Sequence, residues 1–257
     1  MNKSEKIAEL RHFIAACGLP DMRPPVALGH GGADAVLGGG LRPGVHEVFA
    51  TDWCAGGFAA GLAIRAAGGR HFFWVRPDYE ALEYGALSAQ GILELGGDPA
   101  GLVQLCAPNA ADALSAAADI LSCPHVGVLL LEIGGNPKCL DLVASRRLAL
   151  AEAQAGIVTI LLRPGAKCEP SAALTRWQVT TAPSLFGDDD WGNPRWNAQL
   201  TRHRQGGLGA FVMQWDPDNG LFRDAQAAER APHNSTKDFG TVVWPPADRP
   251  AFAAVAG

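Results

Sequence analysis

Between Val45 and Leu162 short apolar runs alternate with longer helical stretches, and that alternation leaves the chain few folds to choose from. The runs at 45–50, 71–75, 102–105, 126–132 and 157–162 have the length and continuity of strands buried on both faces. The stretches 58–67, 79–95, 110–121 and 140–155 read as helices. Such an order predicts an α/β fold with a mainly parallel sheet flanked by helices. After Arg163 the rhythm changes. Segments 176–181, 195–203 and 210–215 read as strands without helices between them, and so as antiparallel edge strands after residue 170.

Outside this region the signals thin out. Ser4 can cap a helix running to Cys17, ended by Gly18 and Pro20, and a Gly- and Pro-rich connector follows. We therefore divide the chain into an N-terminal helix and linker (1–32), a core (33–215) and a loosely ordered tail (216–257). The charges at Lys3, Glu5, Lys6, Glu9 and Arg11 argue against a secretory leader, and no apolar run reaches membrane-spanning length. The six scattered cysteines have neither C-x-x-C nor zinc spacing, so reduced thiols and a cytoplasmic setting are expected. A net charge of −5 argues against a surface devoted wholly to nucleic acid.

The chemistry centres on one strand–loop–helix unit. Gly38-Gly39-Gly40-Leu41-Arg42-Pro43-Gly44 enters the strand at 45–49; the loop Ala50-Thr51-Asp52-Trp53-Cys54-Ala55-Gly56-Gly57 leads into a helix from Phe58. That is the frame of a nucleoside-triphosphate site. A working site needs a Lys on the β/γ-phosphates and a Ser/Thr hydroxyl on magnesium. Gly56-Gly57, or Gly57-Phe58 in the next frame, stands where those residues belong, and no Lys occurs between Lys6 and Lys138. Ala50, Thr51, Asp52, Ala55, Gly56 and Gly57 thus form a degenerate nucleotide loop. Glu132 closes the apolar run 126–132 where a magnesium-holding carboxylate would sit. No enzyme activity and no cofactor or metal are expected. Backbone amides alone could hold Mg-ATP weakly, and a working ATPase would need a displaced cation, of which Arg42, Arg65 and Arg70 are nearest in sequence. Asp52, Glu80 and Glu83 are available as general bases, whereas Asp188-Asp189-Asp190 reads as a solvated loop without calcium-site spacing.

The C-terminal half pairs cations with aromatic rings: Arg176-Trp177, Arg195-Trp196, and Arg202 with Arg204. Arg146 and Arg147 lie on the helix after Glu132. Arg and Trp are frequent anchors of protein interfaces, and stacked rings beside cations also suit single-stranded nucleic acid. Against both stands ordinary packing, with the Trp side chains inside and the Arg side chains on the other strand face.

Several of these segments together resemble one family. They are the entry from Ala33 to Phe49, Leu140-Asp141-Leu142-Val143-Ala144-Ser145-Arg146-Arg147-Leu148, Thr175-Arg176-Trp177-Gln178-Val179, Pro194-Arg195-Trp196 through Arg202, and Phe211 to Trp215. From Ala33 to Trp215 the chain resembles the inducible-mutagenesis protein A (ImuA) family. The resemblance implies a RecA-like core and a non-catalytic accessory role in SOS-induced, error-prone translesion DNA synthesis after DNA damage. It implies as partners an ImuB-like protein and an error-prone DNA polymerase of the replicative alpha-subunit type. RecA is a further candidate partner, its filaments being limited by this chain, and direct DNA contact stays open.

Overall fold

The computed structural model describes residues 23–51, 55–184 and 192–225. The expected helix at 4–17, Asp52, Asp188-Asp189-Asp190 and the chain after 225 lie outside the described residues. The elements run α1 (Gly31–Leu37), β1 (Gly44–Ala50), α2 (Ala55–Ala67), β2 (His71–Pro77), α3 (Asp78–Tyr84), α4 (Ala89–Glu94), β3 (Leu102–Ala107), α5 (Ala110–Leu121), β4 (Val126–Glu132) and α6 (Leu142–Ala155). They continue with β5 (Val158–Pro164), β6 (Thr175–Ala182), β7 (Arg195–His203), β8 (Gly209–Asp216) and β9 (Leu221–Asp224).

All nine strands form one sheet, ordered β3-β2-β4-β5-β1-β6-β7-β8-β9. β1, β4 and β5 are buried along their whole length, which is why their sequences lack alternation. One face of the sheet packs on α2. Its alanines let that helix approach closely, and Phe58 enters a cluster with Trp177, Trp196, Trp215 and Phe222. The other face packs on α5 and α6, through Ala113, Ala117, Ile120, Leu121 and Leu148. Both helices start on side-chain caps that satisfy free amides: Asn109 accepts from Ala111 and Asp112, and Asp141 accepts from Ala144.

Four expectations are corrected. The helix expected over 79–95 is two helices. Gly85, at φ +85°, ends the first, and Ser88 caps the second by accepting from the Gly91 amide. β6 is not antiparallel to the core: it runs parallel to β1, with His46 opposite Thr175, and only β7, β8 and β9 turn antiparallel. The connection 165–174 achieves this by returning across β1 on the α6 face, where the Ala172 amide donates to Ser145 Oγ at 2.7 Å. The sheet also continues past residue 215, because β9 pairs with β8 and brings the buried Phe222 into the core. Finally, residues 26–32 are more than a linker. Val26 bridges to Leu41, Leu28 is buried, and the His30 side chain caps α1.

Candidate functional site

In open α/β sheets ligands bind outside the carboxyl ends of the strands. Here that edge carries a cleft of about 540 Å³, lined by Thr51 after β1, Gly134 and Gly135 after β4, Pro164 and Gly165 at the end of β5, and Tyr79, Glu80, Glu83 and Tyr84 of α3. Thr51 of the nucleotide-like loop opens onto it, while Ala50 and Ala55 are buried.

Glu132 lies behind this cleft and is 2% exposed. Trp74 Nε1 donates to its Oε2 at 2.7 Å, and Arg76 Nη2 pairs with its Oε1 at 3.3 Å. Burial raises its pKa, with Arg76 and the Trp74 hydrogen bond working the other way. The carboxylate is thus committed to two side chains of the neighbouring β2, which is not the arrangement expected of a magnesium-holding residue. Neither Trp74 nor Arg76 was singled out from sequence. An aromatic and a cation inside an otherwise apolar strand were the only signals available.

The helix start is equally committed. A Cβ on Gly57 would lie 3.1 Å from Trp196 Cζ2, whereas one on Gly56 would meet nothing within 4 Å. In the alternative frame Phe58 occupies the hydroxyl position and is fully buried. Gly57→Thr is expected to cost about 1–3 kcal/mol by overpacking, while Gly56→Lys stays within about 0.5 kcal/mol. Urea denaturation of the two variants separates them.

None of the sequence-proposed cations reaches the cleft. Arg42 precedes β1, Arg70 precedes β2, and Arg65 sits near the end of α2 with its Nε donating to the Ala27 carbonyl. All three therefore stand at the amino edge of the parallel strands, roughly 20 Å from the cleft at about 3.3 Å per strand residue. Arg163, at the cleft end of β5, is buried and donates to the Ile133 and Gly135 carbonyls. Burial lowers its pKa, partly offset by Glu47.

The Arg–Trp pairs divide by strand face. Trp177 and Trp196 point into the α2-side core, at 0% and 4% exposure, and are not surface anchors. Arg176 lies on the opposite face: it pairs with the buried Glu47 at 2.8 Å, donates to Ser171 Oγ, and stacks 5.3 Å over Phe49. Arg195 is buried and donates to the Pro183 and Ala225 carbonyls. Arg202 and Arg204 donate to the Ser171 carbonyl, with Arg204 exposed. Arg146 and Arg147 are exposed on α6, beside the exposed Val143 and Leu150. Glu47, the acidic partner of Arg176, was missed because a lone carboxylate in a buried strand has no motif.

No protein-family model matches the chain. Protein ImuA of two Caulobacter vibrioides strains, NA1000 and ATCC 19089, is 35% identical over 159 residues, which cover 57% of this chain and 59% of each relative. Over those residues the chain is similar to Protein ImuA. It spans about three fifths of the length of these curated relatives. The crystal structure of the RadB recombinase superposes with a TM-score of 0.55 at 14% identity, over 77% of this chain and 99% of that one. The chain therefore has a RecA-like α/β fold, as its alternating strands and helices predict. Among the described residues no helix is long and apolar enough to cross a membrane.

Proposed function

We propose that this chain is a non-catalytic, RecA-like accessory protein of SOS-induced, error-prone translesion DNA synthesis. It works as an adaptor that joins an ImuB-like protein to an error-prone DNA polymerase. Homology to ImuA supports the pathway. The observation that carries the non-catalytic reading is the state of Glu132, whose carboxylate is held by Trp74 and Arg76. The unit that would bind triphosphate has no Lys, its hydroxyl position is packed, and Arg163, the cation at the cleft end of β5, is spent on backbone carbonyls.

Adaptor work needs a surface instead. Arg146 and Arg147, flanked by Val143 and Leu150 on α6, combine exposed cations with exposed apolar groups, and among the described residues no hydrogen bond uses those two guanidinium groups. Calorimetric titration with Mg-ATP is expected to show no binding at millimolar nucleotide. In co-purification, the Arg146→Ala/Arg147→Ala double variant is expected to lose the ImuB-like partner while keeping wild-type stability. Micromolar ATP binding would overturn the non-catalytic reading, and undiminished partner capture would overturn the α6 surface.

A further inference from the structure

The cleft at the carboxyl edge has the wrong charge for a polyphosphate. Among its described lining residues none is Lys, Arg or His, and two, Glu80 and Glu83, are carboxylates. Behind it the Arg76–Glu132 pair is self-neutralised. Glu80 is fully buried. Its Oε1 accepts from the Gly134 amide at 2.8 Å, and its Oε2, also buried, is left without a well-aligned donor among the described residues. The Tyr79 hydroxyl stands beside this carboxylate. Burial and the Glu80 charge push that hydroxyl up to about 12, so it remains a neutral phenol. Buried carboxylate oxygens are ordinarily paired, because an unpaired one forfeits its hydration without compensation.

Gly134 is shaped to this arrangement. A Cβ there would sit 2.6 Å from Glu80 Oε1, so only glycine lets the turn after β4 reach the carboxylate. At the rim of the cleft α3 presents Tyr79 and Tyr84, and beside them Leu82, which is 87% exposed. Exposed apolar groups around a charged recess mark a protein-binding surface.

We infer that this cleft receives an Arg or Lys side chain of a protein partner, with Glu80 Oε2 and Glu83 as its acceptors and Tyr79 and Leu82 packing the apolar residues beside it. A cation there supplies the donor that Oε2 lacks and neutralises a recess that would repel nucleotide. The inference rests on the accessory reading, because a bound triphosphate would occupy the same edge of the sheet.

The test uses the full chain and two short capped peptides, acetyl-Leu-Arg-Leu-amide and its counterpart with neutral citrulline in place of arginine. Titrations are followed by the Gly134 amide and the 79–84 resonances. The arginine peptide is expected to bind at least tenfold more tightly than the citrulline peptide, and Glu83→Gln to narrow that ratio severalfold. Glu80→Gln, which keeps the bond to Gly134 but turns an acceptor into a donor, is expected to abolish it. Equal binding of the two peptides, or binding of neither, overturns the inference and leaves the accessory reading standing. Micromolar Mg-ATP binding that shifts the same resonances overturns both.

Discussion

Replacing Glu132 with alanine is expected to destabilise the protein by about 3–5 kcal/mol, the range for removing one partner of a buried ion pair. Arg76 is 3% exposed, and its Nη1 donates to the Gly85 carbonyl. Without Glu132 its charge would stay inside the protein with only that carbonyl to meet it. The Trp74 indole would lose its acceptor in the same step. Most of the loss should come from the stranded cation, so Arg76→Met/Glu132→Leu is expected to recover the larger part of it. Urea midpoints of the three proteins decide the matter. A loss below about 1 kcal/mol for Glu132→Ala would mean that the carboxylate is not holding Arg76, and it would return Glu132 to the list of free acids. The same result governs how nucleotide experiments are read, since an alanine there would confound any loss of binding with loss of structure.

Trp177→Ala should be comparably severe, at about 3–5 kcal/mol, because a large aromatic is removed from a close-packed cluster. The ring is wholly buried, 6.2 Å from Phe58 and 6.3 Å from Phe211. Its Nε1 has no hydrogen-bond partner among the described residues. Trp177→Phe therefore gives up volume but also removes an unsatisfied donor, and it should cost roughly half as much or less. An interface anchor would behave differently: alanine would weaken partner capture and leave the melting temperature alone. Thermal melts alongside co-purification separate the two roles.

The architecture was legible because its signals are periodic. β1, β4 and β5 are continuous apolar runs, and only a strand buried on both faces reads that way. The direction of β6 was not legible, since Thr175–Ala182 shows the same alternation whether its neighbour is parallel or antiparallel. β9 has only four residues, Leu221-Phe222-Arg223-Asp224, too few to carry a period. At the candidate site, the missing Lys was plain from the residues alone. The engagement of Glu132 was not, because Trp74 and Arg76 meet it through parallel pairing of β2 with β4. The Arg–Trp dipeptides misled for a related reason. Neighbours in a strand face opposite ways, so Trp177 serves the core while Arg176 serves Glu47.

The mixed sheet also sets an order of events during synthesis. β6 to β9 pair with their sequence neighbours, whereas β1 waits for β5, with Gly44 opposite Val158. Pairings between distant segments form slowly, because a long loop must close first. The face of α2 that carries Phe58 is covered by Trp177, Trp196 and Phe222, which all leave the ribosome late. A nascent chain paused near residue 174 therefore displays its central helix uncovered. Until the last strands arrive, it is a client for chaperones and a seed for aggregation.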